Sequence, residues 1–78
     1  MRARTTTLIA KNEDFFLFNL DNGGVRFGMY DVCAFDFPAD HADCERVKAL
    51  TLDAAEEAFD AFYVKYTPIP TDGYDHIR

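Results

Sequence analysis

The sequence predicts a small α+β domain in which an antiparallel sheet of three or four strands packs against one long C-terminal amphipathic helix. Three observations predict it. Leu52, Ala55, Phe59, Phe62, Tyr63 and Tyr66 recur at steps of three and four, with Asp53, Glu56, Glu57 and Asp60 on the other side, which is the pattern of a helix with one apolar stripe. The run Phe15-Phe16-Leu17-Phe18-Asn19-Leu20 is apolar and of strand length, and Asp21-Asn22-Gly23-Gly24 behind it supplies residues that tolerate positive φ, a hairpin signal. The chain of 78 residues is too short for a second core, since a domain of that size buries only about 60% of the surface its unfolded form exposes.

Taken in order, residues 4–11 carry three consecutive threonines before Leu8 and Ile9, a β-branched composition that favours a strand at a sheet edge. Lys11-Asn12-Glu13-Asp14 reads as a turn. In the next strand Phe16, Phe18 and Leu20 share one face by the two-residue period, and Val25, Phe27 and Met29 are expected to continue that buried face after the hairpin. Gly28 marks a bulge or a close backbone approach. Tyr30, Val32 and Ala34 then shift the parity, so the strand twists or breaks near Asp31 before Phe35 and Phe37 restore an apolar ending ahead of Pro38.

Residues 38–43 form a loop by composition. Residues 45–50 alternate polar and apolar side chains and read as a further strand, in preference to a short helix capped by Asp40 and running to Ala49. Thr51 is an N-cap for the long helix, Leu52 to Tyr66. Asp53 lies in its first turn, where the dipole favours an acid, and Leu50 is placed to staple onto Ala55. Two prolines separated by Ile69 end the helical pattern, so residues 1–66 are expected to form the domain and 67–78 an extended tail, with Ile69, Tyr74 and Ile77 as its docking residues if it docks.

Eight phenylalanines and four tyrosines exceed what one sheet-on-helix core covers, so aromatic surface is expected to remain for a partner or a second copy of the chain. Helical spacing assigns Phe59, Phe62, Tyr63 and Tyr66 to the core. Tyr30, Tyr66 and Tyr74 are the rings best suited to an interface, where a hydroxyl is useful.

The formal net charge is −6, which argues against nucleic acid or an anionic membrane as a direct ligand, since both need cations on the protein. Met1-Arg2-Ala3-Arg4 leads into threonine-rich sequence and not into an apolar signal segment, so a soluble cytoplasmic protein is expected. In that setting Cys33 and Cys44 are expected to be reduced thiols, one or both in the core.

The charge is unevenly spread. Residues 1–30 hold Glu13, Asp14 and Asp21 against Arg2, Arg4, Lys11 and Arg26, a sum of +1. Residues 31–60 hold Asp31, Asp36, Asp40, Asp43, Glu45, Asp53, Glu56, Glu57 and Asp60 against Arg46 and Lys48, a sum of −7. Part of this is the ordinary solvated face of a surface helix, and Asp53 and Glu56 gain about 0.3–1 kcal/mol each near the positive helix end. Asp53 with Glu57, and Glu56 with Asp60, are like-charge pairs at i and i+4, each costing about 0.2–0.5 kcal/mol. A helix shaped for stability alone mixes signs on that face. The candidate partner-binding residues are therefore Asp53, Glu56, Glu57 and Asp60, extended by Asp36, Asp40, Asp43 and Glu45 if these fold onto the same side. Without them the helix offers four carboxylates over a rise of about 10 Å, where duplex DNA carries about six phosphates. The implied partner is a basic protein surface.

In size, acidity and strands-then-helix order the chain resembles the small phage-encoded inhibitors of bacterial defence, the anti-CRISPR proteins, several of which use acidic surfaces to occupy a nucleic-acid channel. That group shares an activity more than a sequence motif, so no residue is carried over by position. The resemblance implies a stoichiometric inhibitor that imitates a nucleic-acid backbone, or locks a subunit, by competing for a basic groove.

Chemistry at other residues is weaker. Cys33, His41 and Cys44 with the neighbouring aspartates form a conceivable zinc cluster, with His76 as a distant fourth ligand, but short Cys-x-x-Cys spacing is absent. A Cys44/His41 nucleophilic pair lacks an oxyanion-loop signature. Gly23-Gly24 lacks the strand-loop-helix setting of a phosphate cradle. The expectation is a non-catalytic binding protein without metal or cofactor; the alternative is a homodimeric domain whose acidity serves solubility.

Overall fold

The computed structural model describes residues 3–71. Among them, four strands form one antiparallel sheet in sequential order: β1 (Thr5–Lys11), β2 (Phe15–Leu20), β3 (Val25–Met29) and β4 (Cys33–Phe37). Each connection is a tight turn built by its own residues. Asn12 closes the first by accepting the backbone N–H groups of Asp14 and Phe15 on its side-chain oxygen. Gly23 takes φ 86° in the second, where the Asn22 side chain accepts the Gly24 N–H. Asp31 takes φ 63° in the third, a left-handed conformation that aspartate tolerates better than most residues.

The third turn resolves the parity shift. The predicted break at Asp31 is a full hairpin, and the fourth strand is β4. Residues 45–50, expected as a strand, instead belong to the short helix α1 (Cys44–Lys48) and its exit. The alternation across those residues concealed a step of three: Cys44 and Val47 are both buried against the sheet, a helical and not a strand relation. Asp43, not Asp40, sits at its N-cap, and the Lys48 ammonium donates to the Gly23 carbonyl at 2.9 Å, tying α1 to the second turn.

The second helix, α2 (Ala55–Lys65), is preceded by a 3-10 turn over Leu52–Ala54, so the helical segment is 14 residues, a modest length. Thr51 holds the extended backbone of an N-cap, but its hydroxyl makes no capping bond; the Thr51 carbonyl accepts from Ala54. The stripe expected from the sequence packs on the sheet through Phe59, whose ring lies 5.8 Å from Phe15, 6.2 Å from Phe27 and 5.5 Å from Phe35. Phe62 meets Phe37 at 5.0 Å, and Tyr66 meets the same ring at 5.5 Å. Tyr63, assigned to the core, lies on the solvent side at 59% exposure, because it sits about 60° round the helix from the centre of the Phe59–Phe62–Tyr66 line.

The register corrects the expected buried face. Leu17 pairs with Phe27 and Phe16 with Gly28, so Val25, Phe27 and Met29 lie on the side opposite Phe16, Phe18 and Leu20. The sheet is thus apolar on both faces. Phe15, Leu17, Val25, Phe27, Phe35 and Phe37 meet the helices, while Phe16, Phe18, Tyr30 and Ala34 form a second cluster with Ile69. Gly28 is a close approach and not a bulge: a Cβ there would stand 2.6 Å from the Ala34 Cβ and 2.8 Å from the Phe16 ring. The surplus aromatic surface expected from composition goes into this second cluster. Seven of the eight phenylalanines are buried and the eighth, Phe62, is half-buried; Tyr30, expected at an interface, is only 3% exposed.

β1 is the open edge and is irregular. Its pairing with β2 shifts register between Thr5 and Leu8 and again between Leu8 and Ala10. The edge of β4 is closed by Ile69, which forms an isolated antiparallel bridge to Ala34. Tyr74 and Ile77, the other expected docking residues of the tail, lie outside the described residues. No helix among the described residues is long and apolar enough to cross a membrane.

Candidate protein-binding surface

The turn-by-turn geometry of α2 sorts its side chains into two sectors. With Ala55 and Phe59 facing the sheet, Glu56, Glu57, Asp60 and Val64 point to solvent, and Asp53 joins them from the preceding 3-10 turn. All four acids are exposed, and Val64, at 90% exposure, lies among them. No lysine or arginine among the described residues pairs with any of the four. Four of the six described cations are engaged elsewhere: Arg26 with Asp36, Arg46 beside Asp43, Lys48 on a turn carbonyl and Lys65 over the ring of Tyr66.

The other four predicted acids are arranged differently. Asp36 alternates with Phe35 and Phe37 along β4, so it lies on the sheet face away from α2, where it accepts from Arg26 Nε at 2.5 Å and from the second guanidinium nitrogen at 2.8 Å. This is a bidentate ion pair, and it is largely enclosed. Asp36 and Arg26 are cross-strand partners, each five residues from Asp31. A hairpin centred on Asp31 sets the two opposite each other, which a twist or break at Asp31 does not, and that is why Asp36 looks like a free acid in the sequence.

Asp43 is turned inward as well. Its carboxylate accepts the Tyr66 hydroxyl, which joins the start of α1 to the residue that ends α2. Around this bond His41 stacks edge-on between Phe37 and Tyr66 and accepts the Asp43 N–H on Nδ1 at 3.0 Å. Asp40 and Glu45 are exposed. Because Asp43 contacts Tyr66, this loop sits at the C-terminal end of α2, about 9 Å along the axis beyond Asp60. It therefore does not raise the charge density of the helix face, which stays at four carboxylates over about 10 Å.

Hydrogen bonding from Tyr66 holds the Asp43 carboxyl below the usual carboxylate range; desolvation opposes this, and Lys65, Arg46 and His41 add smaller favourable contributions. A group whose pKa is lowered by folding contributes stability in full above its unfolded value and loses it as pH falls through the folded value. Tyr66→Phe removes the donor and should flatten the loss of stability on acidification below about pH 4. Wild type and variant should differ at pH 7 and draw together as the carboxyl becomes protonated in acid, read by chemical denaturation; parallel curves would show that the bond carries none of the acid sensitivity.

Cys33 and Cys44 are both free and buried, and burial pushes the Cys33 thiol above its ordinary value. Cys44 is fully enclosed and faces the sheet core, while His41 gives Nδ1 to the Asp43 backbone, so the two are not set up as nucleophile and base. Among the described residues no three His, Cys, Asp or Glu side chains converge as a metal would require, and His76 lies outside them. An open hollow of about 560 Å³ beside the first turn is lined, among the described residues, by Lys11, Asn12, Glu13 and Asp14. Comparison with protein families, with curated proteins and with solved structures finds no match to this chain.

Proposed function

We propose that the chain is a non-catalytic binding protein that docks the outward face of α2 onto a lysine- and arginine-lined protein surface. In its sharpest form that surface is a nucleic-acid groove and the chain a stoichiometric inhibitor of the anti-CRISPR kind. One observation carries the reading: Asp53, Glu56, Glu57 and Asp60 stand exposed on one helix face with no cation among the described residues paired to them. Keeping Asp53 beside Glu57 and Glu56 beside Asp60 costs helix stability, and a basic partner would turn that repulsion into attraction. Val64 and Tyr63 supply apolar contact within the same surface. The homodimeric alternative drew its support from unburied aromatic rings, and the second cluster takes those rings up.

The experiment is capture of the partner on immobilised protein, with Glu56→Lys, Glu57→Lys and Asp60→Lys combined as the contrast. The triple reversal should weaken binding about 100-fold, at roughly tenfold per 1.4 kcal/mol, and leave the circular dichroism spectrum unchanged. Raised salt should release the wild-type complex. A partner held equally by both proteins, and indifferent to salt, would rule out the acidic face as the contact.

A further inference from the structure

Asp43 stands at the N-cap of α1, yet its carboxylate makes no capping bond and accepts instead the hydroxyl of Tyr66, the residue that ends α2. The N–H groups at the start of α1 are met by His41: its carbonyl accepts from Cys44 at 3.1 Å, and its ring Nδ1 accepts from Asp43 at 3.0 Å. The ring thus does what Asn12 and Asn22 do in the first two turns of the sheet, where a side-chain oxygen accepts the N–H two residues on. The acceptors differ in one respect. An amide oxygen accepts whatever the pH, whereas Nδ1 accepts only while it carries no proton. Because a backbone N–H is always a donor, the neutral ring here holds its proton on Nε2.

We propose that His41 is a proton-operated cap: the neutral ring holds the Asp43 N–H, and the protonated ring releases it, loosening the junction of α1 and α2 while the sheet stays closed. Imidazole is the side chain whose ordinary charge change falls between about pH 5 and 8. Protonation puts a hydrogen on Nδ1 that points at the Asp43 N–H, donor against donor. The ring is kept in place by edge-on contacts with Phe37 at 5.1 Å and Tyr66 at 5.3 Å, neither of which involves that nitrogen's lone pair. The charges about it are Asp40 in the same loop, Asp43 and Arg46 at α1, and Lys65 at the end of α2; β4 presents the Phe37 ring, while Asp36 is held by Arg26 on the far side of the sheet. Hydrogen bonding from Tyr66 keeps the Asp43 carboxyl ionised across the same range, so its own titration falls at lower pH. Asp43 takes part in both bonds, so a change at its backbone reaches Tyr66 through a single residue.

Nuclear magnetic resonance of the full chain between about pH 8 and 5 tests this. At the alkaline end the His41 ring should show its proton on Nε2. As His41 titrates, the protection of the Asp43 amide against hydrogen exchange, corrected for the intrinsic effect of pH, should fall about tenfold with the same midpoint. The Tyr66 ring signals should move with it, and protection in the β2–β3 ladder should hold. His41→Asn keeps an acceptor that does not titrate and should remove the step. His41→Phe keeps a ring without an acceptor and should give low Asp43 protection throughout. A neutral ring protonated on Nδ1, an Asp43 amide indifferent to the His41 titration, or a step shared by the β2–β3 amides overturns the proposal. So does a step of wild-type size in His41→Asn.

Discussion

Phe59→Ala is expected to cost about 3–5 kcal/mol, a large share of the roughly 5–15 kcal/mol that holds a small domain folded. Phe59 is 6% exposed, and its ring touches one aromatic ring from each of β2, β3 and β4, so it is the point at which helix and sheet are joined. Removing it opens a cavity that three flat rings cannot collapse to fill, because each is held by its own strand. Phe59→Leu keeps most of the volume and should cost about 1–2 kcal/mol. Tyr63→Ala, four residues along and exposed, should stay within about 0.5 kcal/mol. Urea midpoints read by circular dichroism separate the three. A Phe59→Ala midpoint close to that of Tyr63→Ala would mean that the helix is not anchored through this ring.

Asp36→Ala is expected to cost about 3 kcal/mol, the lower end for breaking an enclosed ion pair, because the Asp36 side chain keeps 24% exposure. The loss comes less from the missing attraction than from Arg26, whose side chain is 7% exposed and would lose the carboxylate that its guanidinium meets with two hydrogen bonds. A double replacement, Arg26→Met with Asp36→Leu, removes both charges and should recover most of the stability, since an apolar pair of similar volume often matches a buried ion pair. One further contribution is lost only in the double variant: Arg26 also donates to the Ala3 carbonyl at 3.0 Å, which pins the segment leading into β1. Denaturation of the single and double variants decides the matter. Equal losses in both would show that the pair is net stabilising, and no loss in Asp36→Ala would show that Arg26 finds water. Partner capture should be unaffected wherever the variant stays folded, which separates this acid from those on α2.

The contrast between Asp36 and Glu57 shows how far the sequence could be read. Helical periodicity placed Phe59, Phe62 and the acids on opposite sides of α2 because a step of three or four has one physical meaning there. The Asn22-Gly23 turn was equally legible, since few residues accept its backbone. By contrast, Phe15-Phe16-Leu17-Phe18 is apolar at every position, so parity says nothing about which face meets the helix; only the register across the hairpin does. Six residues around Val47 fit a step of two or of three, and burial against β3 decided for the helix. Counter-charges are the least legible of all. Asp36 and Glu57 look alike along the chain, and only strand pairing shows that one of them already has its cation.

A chain with eight phenylalanines and an exposed strand invites a comparison with fibril-forming sequences. The two register shifts in β1 answer half of it, because an edge with its donors and acceptors out of step cannot template a flat copy of itself. β4 has no such irregularity: its five residues pair with β3 without a break, and its outer rim would nucleate cross-β stacking readily. Ile69, flanked by Pro68 and Pro70, bridges that rim at Ala34, and conditions that lift it off should bring turbidity well before they melt the helix.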